Sequence, residues 1–345
     1  MNLYRDTLNA LREQPCRWLV TGAAGFIGSN VVRALLLSGQ TVVGLDNFSS
    51  GKRETVQALS DRLPLDMAAR LIFMEGDICD PQICLAACES VDFVLHHAAI
   101  GSVPRSLQDP ALTEQINVGG FITILQAAAR CNVRRFMYAS SSAVYGDGSD
   151  AARHEEDRLD PLSPYAVTKY ANELYARVLG DFHGLPTIGL RYFNIYGPRQ
   201  DPQGPYAAVI PRWINALRQG QTVEIHGDGQ TVRDFCFVED VVQANLLAAL
   251  SAPLPRSHPV YNIASGCPTT LNTLLDTLRR ALNRSGVNTS HCAAFHTSSR
   301  PMDIRVSRAD IAAARDELGF VPAFDLEEGL FKTLENNFTD RIVAA

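Results

Sequence analysis

RWLVTGAAGFIGSN, residues 17–30, reads as a buried strand that runs into a glycine turn and then a helix. Trp18, Leu19 and Val20 form an uninterrupted apolar run, the mark of a strand covered on both faces. Gly22, Gly25 and Gly28 follow in a GxxGxxG spacing. At a strand-to-helix turn, glycines let backbone N–H groups approach a pyrophosphate, and the helix N-terminus adds its partial positive charge. Asp46 ends the next apolar run, TVVGLD at 41–46. A carboxylate at that place hydrogen-bonds the ribose hydroxyls of an adenosine and repels a 2′-phosphate, so NAD is favoured over NADP. GDI at 76–78 closes a third run at the same sheet edge. There Asp77 reads either as an adenine-side contact or as a turn cap.

The same alternation extends outward. LIFMEGD (71–77), DFVLHHAA (92–99), RFMYASS (135–141) and PTIGLRYF (186–193) are further strand candidates. Helical patterns lie between them near 26–37, 80–88, 111–131 and 165–182. Strands alternating with helical crossovers of this length imply an α/β fold with a doubly wound parallel sheet. Residues 1–15 read as an N-terminal helical extension with Leu3, Leu8 and Leu11 on one face, and 16–196 as the dinucleotide-binding domain. The proline- and glycine-rich YGPRQDPQGPYAAVIP (196–211) then marks a hinge. Residues 197–345 read as a smaller, mainly helical substrate lobe, with strand-like runs only near 222–225 and 260–263 and a segment near 236–265 rejoining the first domain.

Composition narrows the function. The 345 residues are 46% hydrophobic and 20% charged, which excludes a disordered or fibrous chain. A net charge of −6 argues against a nucleic-acid partner. No apolar run reaches the roughly 18 residues of a membrane span. The N-terminus lacks an apolar signal core, so a cytoplasmic location is expected. Eight cysteines without a CxxC spacing read as small buried hydrophobes. His96 and His97 have no histidine nearer than His154, so no metal is expected and they read as packing beneath a cofactor.

YAVTK at 165–169 follows Ser163-Pro164 at a helix start. Residues i and i+4 share a helix face, so the Tyr165 hydroxyl and the Lys169 ammonium converge on one site. A tyrosine base at neutral pH needs its pKa lowered by about 3 units from the free phenol. A neighbouring ammonium and a positive nicotinamide ring are the available causes. The chain has ten tyrosines but only three lysines, Lys52, Lys169 and Lys332, so chance supplies about 0.1 pair at this spacing. The strand RFMYASS runs into SSSAVYG at 140–146, placing Ser141 and Ser142 at the carboxyl edge of the sheet, where ligands lie.

TGAAGFIG, Asp46, SSSAVYG and YAVTK together resemble the extended short-chain dehydrogenase/reductase family, nucleotide-sugar branch, over roughly residues 16–338. The resemblance implies a Rossmann-type sheet and an NAD that stays bound and is regenerated each turnover. Tyr165 would take the proton of a sugar hydroxyl, Lys169 would anchor the nicotinamide ribose, and Ser141 or Ser142 would assist. The implied cofactor contacts are Gly22, Gly25, Phe26, Ile27, Gly28, Asp46, Asn47, Gly51, Asp77, Ile78, Ala98, Tyr165 and Lys169. Dehydratases of the family carry an Asp-Glu pair after the catalytic threonine and uronate decarboxylases a glutamate; this chain has Ser142-Ala143 there. What remains is oxidation and return of hydride. GSVPRSLQDP (101–110), RYFNIYGPRQDPQGPYAAVIPRW (191–213) and GDGQTVRDFCFVEDV (227–241) look like the UDP-N-acetylglucosamine 4-epimerase group of bacterial surface-polysaccharide pathways. That likeness implies a UDP sugar (UDP-GlcNAc or UDP-GalNAc) contacted by Ser102, Ser141, Ser142, Tyr165, Asn194, Gln200, Ala208 and Val209, with Arg233 on its diphosphate. Arg300 and Asp303 would hold phosphate and ribose, although Arg-Pro-Met-Asp at 300–303 departs from the family's usual glycine before the aspartate. A homodimer pairing the helices near 111–131 and 165–182 is implied in the same way.

Overall fold

The structure, a computed structural model, describes residues 3–342 except residues 149, 203–206, 253, 255 and 299–303; beyond residue 335 only the course of the last helix is described. Six strands, β1 (Arg17–Thr21), β2 (Thr41–Asp46), β3 (Leu71–Glu75), β4 (Phe93–His96), β5 (Arg135–Ser141) and β6 (Thr187–Tyr192), build the main sheet. The strand Val260–Ile263 completes it in the order Val260–Ile263, β6, β5, β4, β1, β2, β3. Every pairing is parallel.

Alternation of side chains across the pleat explains why these strands read as continuous apolar runs. Trp18 and Val20 of β1 face one core, and Leu19 faces the other. In β2, Val42 joins the first core while Val43 and Leu45 join the second. Helices α1 (Leu3–Glu13) and α2 (Phe26–Leu37) cover the first face together with the helix Val238–Leu250. The helices Pro81–Cys88, Phe121–Arg130 and Pro164–His183 cover the second. Residues on both sides are sealed from water, so parallel pairing leaves no solvated face to mark with polar residues.

A third core lies in the C-terminal lobe, where Trp213, Ile214 and Leu217 meet Leu274, Leu278, Leu330 and Leu334. This lobe carries more strand than its sequence suggests. Val232–Asp234 pairs with Pro268–Thr270 and Val306–Ser307, and Val223–His226 pairs with Ala294–Thr297. Of these only the run near 222–225 reads as strand in the sequence; the other pieces, of two to four residues, are too short to show a period of two. Val260–Ile263 pairs with β6 and the helix Val238–Leu250 packs against α2, so this stretch of the segment near 236–265 lies against the first domain.

The helix expected over 111–131 is also interrupted. Pro110–Glu114 and Phe121–Arg130 flank a π-helical turn at Gln115–Gly120. A π turn adds a residue without changing composition, so the apolar pattern hides it.

The glycine turn is fixed by contact distances. Gly22 takes φ +68°, and a Cβ on it would lie 2.8 Å from the Ala98 nitrogen; a Cβ on Gly28 would lie 2.0 Å from the Gly22 carbonyl oxygen. Helix α2 can approach β1 this closely only without those side chains. Gly28→Ala is expected to destabilise the fold by roughly 1–3 kcal/mol through overpacking. Thermal unfolding checks this, and an unchanged midpoint would show that the crossing has slack.

Candidate active site

The strand order reverses between β1 and β4, whose ends Thr21 and His96 lie side by side. A crevice of about 1190 Å³ opens there, beyond the carboxyl ends of the strands, where α/β sheets bind ligands. The Thr21 hydroxyl holds its floor. It accepts from the His97 and Ala98 N–H groups at 3.2 Å each, so its own proton goes to His96 Nδ1 at 2.8 Å. His96 is therefore the neutral Nε2–H tautomer. Burial first, and Lys169 second, hold it uncharged well below the usual histidine range. His97 lines the crevice with both ring nitrogens sealed and unpartnered. Burial, aided by Lys169, takes its pKa down to about 3. The two histidines pack beneath the crevice, and among the described residues no group of three His, Cys, Asp or Glu is placed to hold a metal.

At one end of the crevice the wall is made by Gly22, Gly25, Phe26, Ile27 and Gly28, with Asp46, Asn47, Asp77, Ile78 and Ala98 around them. Gly51 is not part of the wall; its Cα packs on the Ala24 backbone, which a Cβ would meet at 3.0 Å. Asp46 is buried, and its two oxygens accept from Ala24 N–H (2.9 Å) and Phe48 N–H (2.8 Å). Each carboxylate oxygen has a second lone pair left for a hydroxyl. Asp77 accepts from Cys79 N–H and from the Asn47 amide, both at 2.8 Å. Burial opposes its ionisation, yet these two donors keep its pKa below the usual value. Asp77 is thus both turn cap and crevice wall.

The other end is built from the helix Pro164–His183 and the end of β5. Ser163 caps this helix by accepting from Ala166 N–H at 3.2 Å, and Pro164 occupies its first turn, where a missing N–H costs nothing. Lys169, 3% exposed, donates to the Ala139 carbonyl at 2.8 Å. Its Nζ lies 5.9 Å from the centre of the Tyr165 ring. Burial lowers the Lys169 pKa to about 8. Burial also raises the Tyr165 phenol, and a hydrogen bond with Ser141 pulls it partway back. The expected lowering of the phenol is therefore not supplied by Lys169 in the protein alone. Ser142 lines the same wall.

Contacts that no motif advertises hold this end together. Ser106 Oγ accepts from the Tyr165 N–H at 3.1 Å and ties the helix Val103–Gln108 to the catalytic turn. Asn117, inside the π turn, accepts from Ile100 N–H at 2.8 Å and donates to the Ile100 carbonyl and to Thr168 Oγ1, each at 3.1 Å. An asparagine within the apolar stretch INVGG was the available signal.

Of the residues expected at the sugar end, Ser102, Asn194 and Gln200 line the crevice. Asn194 stands at φ +40°, and its amide nitrogen and the Gln200 amide oxygen have no partner among the described residues. Ala208 and Val209 open the helix Val209–Arg218 and are not part of the wall. Arg233 lies on Val232–Asp234, with its guanidinium on the Val232 carbonyl at 2.9 Å, also away from the wall. Arg300 and Asp303 lie outside the described residues. Lys52 and Asp201 form a 3.0 Å ion pair at the crevice, a contact the sequence did not suggest.

The residues present fit NAD. Gly22, Gly25 and Gly28 line the crevice at the N-terminus of α2 without a side chain of their own, and Asp46 stands where a ribose hydroxyl needs an acceptor. Lys169 gives a pH signature of this site. Its ammonium loses its proton near pH 8 in the native chain and near the ordinary lysine value when unfolded. Between these values the unfolded chain binds more protons, so native stability rises with pH. Denaturation of NAD-free wild type and Lys169→Met at about pH 7 and about pH 10 should show this rise lost in the variant, by as much as a few kcal/mol. Equal pH slopes would contradict the sealed ammonium.

Comparison with known proteins agrees with this geometry. Residues 18–264 match the NAD dependent epimerase/dehydratase family. The chain is 36% identical over 321 residues to a UDP-glucose 4-epimerase of Mycolicibacterium smegmatis, covering 92% of this chain and 97% of that one. It is 31% identical to a UDP-glucuronate 4-epimerase of Thermodesulfobacterium geofontis, covering 92% and 94%. A solved UDP-N-acetylglucosamine 4-epimerase from Methanobrevibacter ruminantium, in complex with UDP-N-acetylmuramic acid, superposes with a TM-score of 0.85 at 34% identity, covering 94% and 99%. The chain belongs to the NAD dependent epimerase/dehydratase family, and the enzyme's cofactor is NAD.

Proposed function

We propose that the protein is a UDP-sugar 4-epimerase that interconverts UDP-GlcNAc and UDP-GalNAc. One observation carries the epimerase part of this reading: among the described residues, the end of the crevice holding Tyr165, Lys169, Ser141 and Ser142 has no carboxylate. The acids among the described wall residues are Asp46, Asp77 and Asp201, none of them on β5 or its following turn. Without an acid there, neither elimination of water nor proton removal at C5 has a base, which leaves redox chemistry at one carbon.

Bound NAD supplies the acceptor and then the donor for hydride, and its positive ring favours phenolate at Tyr165. Tyr165 takes the proton of the sugar 4-hydroxyl as C4 is oxidised, and Ser141 or Ser142 hydrogen-bonds the same oxygen. The 4-keto sugar turns within the crevice, hydride returns to its other face, and Tyr165 gives the proton back. Ser102, Asn194 and Gln200 hold the sugar, with Arg300 on phosphate and Asp303 on ribose as the family likeness implies. The orphaned donor of Asn194 and acceptor of Gln200 suit a ligand rich in hydroxyl and amide groups. The choice of an acetamido sugar rests on likeness in the 101–110, 191–213 and 227–241 stretches and on the solved N-acetylglucosamine relative. A role in supplying surface-polysaccharide precursors and a cytoplasmic location belong to the same reading.

The reading includes a homodimer. The helix Pro164–His183 exposes Val167, Leu174, Tyr175, Val178 and Phe182, a stripe at i, i+7, i+8, i+11 and i+15 that none of the described residues covers. An apolar face of that kind marks a protein interface. Val178→Asp is expected to give a monomer in analytical ultracentrifugation, and a wild-type monomer would refute the dimer.

Incubation with UDP-GlcNAc, UDP-glucose and UDP-glucuronate, with no NAD added, tests the substrate by nuclear magnetic resonance of the sugar. UDP-GalNAc should form fastest; conversion of only another sugar would overturn the acetamido assignment. Tyr165→Phe should lower turnover by about 10²–10⁴-fold with its NAD content unchanged, and full activity would refute Tyr165 as base.

A further inference from the structure

We propose that Glu173 is a positioning residue for the Tyr165–Lys169–Ser141 site, acting through Ser140 and Arg191. The inference rests on the epimerase reading for its chemistry but on separate contacts for its geometry. Glu173 lies on the Pro164–His183 helix at the same face as Tyr165 and Lys169, at i+8 and i+4 from them. Its side chain and that of Arg191 are 6% and 5% exposed. Oε1 accepts from Ser140 Oγ at 2.6 Å and from Arg191 Nε at 2.9 Å, and Oε2 accepts from the Arg191 terminal nitrogen at 2.8 Å. The other Arg191 nitrogen donates to Tyr145 OH (2.7 Å) and to the Glu155 carbonyl (3.0 Å). Tyr145 in turn donates to Asn262 Oδ1 at 2.6 Å.

The Glu173, Arg191 and Ser140 part of this network borders the crevice, and Ser140 itself lines it. Ser140 precedes Ser141 on β5, Arg191 precedes Tyr192 on β6, and Glu173 lies one turn beyond Lys169. Among the described residues the Pro164–His183 helix meets β5 through three polar side-chain contacts, Lys169 to Ala139, Glu173 to Ser140 and Tyr165 to Ser141. The first holds the lysine; the second sets where the following residue, Ser141, stands relative to Tyr165. A buried ion pair gives little net stability, because desolvation offsets the attraction, and its best-attested use is to fix register. The bidentate fork with an added serine donor is a geometric device of this kind.

The test uses the NAD-loaded enzyme and two variants. Glu173→Gln sets an amide NH₂ against Arg191 and risks misfolding, so Ser140→Ala, which removes only the serine link, is made beside it. Two quantities are read: kcat and KM with the converted sugar, and the phenol titration of Tyr165 without sugar, as the ultraviolet difference from Tyr165→Phe in the same background. Ser140→Ala should lower kcat at least about fivefold with KM within about twofold. Its Tyr165 titration should move up by at least about half a pH unit as the Ser141 hydrogen bond lengthens. Folded Glu173→Gln should change both in the same direction and further. A kcat within about twofold of wild type together with an unmoved titration would overturn the proposal. If no UDP sugar is converted, the kinetic arm fails with the epimerase reading, and the titration alone decides the positioning claim.

Discussion

The hydrogen bond from Lys169 to the Ala139 carbonyl is the contact on which the site depends. It seats a helix of 20 residues on the end of β5 with its charged group inward. A buried ammonium without a carboxylate partner is costly, and the chain accepts that cost at a lysine rather than at one of its 28 arginines. The reason is geometric. A compact ammonium reaches one carbonyl and still has donors free toward the crevice, whereas a planar guanidinium would demand a broader partner. With the lysine fixed, Tyr165 one turn earlier has no choice of face, and Ser141 on the same strand end as Ala139 comes to it.

The cofactor end obeys a different constraint, contact distance instead of charge. Gly22 and Gly28 are bare so that α2, β1 and the backbone after β4 share one volume. The N–H groups of Gly22, Ala23, Ala24 and Gly25 are already bonded to Leu45, Asp46 and Gly22, which leaves the first turn of α2 to face the crevice with its free N–H groups. Thr21 links the two constraints. Its hydroxyl bonds the backbone that floors the crevice and fixes a neutral His96, so no second cation competes with Lys169.

Strands buried on both faces announce themselves as short apolar runs, and 41–46 and 135–141 stood within the bounds read from sequence. So did α2, read over 26–37. The glycine cradle, Asp46, Tyr165 and Lys169 were legible because their chemistry depends on local spacing. Asn117, Ser106 and the Glu173–Arg191 pair were not, because each works through partners distant in sequence. Asn117 was hidden further by a π turn that shifts the helical phase. The sugar end was legible only by likeness. Ser102, Asn194 and Gln200 stand in the crevice wall, while Ala208, Val209 and Arg233 do not. The rise in the Tyr165 phenol was also unforeseen, since sequence names the lysine but not the burial.

The central claim is that one carbon of the sugar is oxidised and reduced again without its hydrogen leaving the site. A UDP hexose carrying deuterium at C4, turned over without added NAD and followed by nuclear magnetic resonance, tests this most directly. The account predicts an epimerised product that keeps the deuterium at C4. Epimerisation with the deuterium replaced by solvent hydrogen would contradict it, because proton exchange at carbon, and not hydride return, would then be the chemistry.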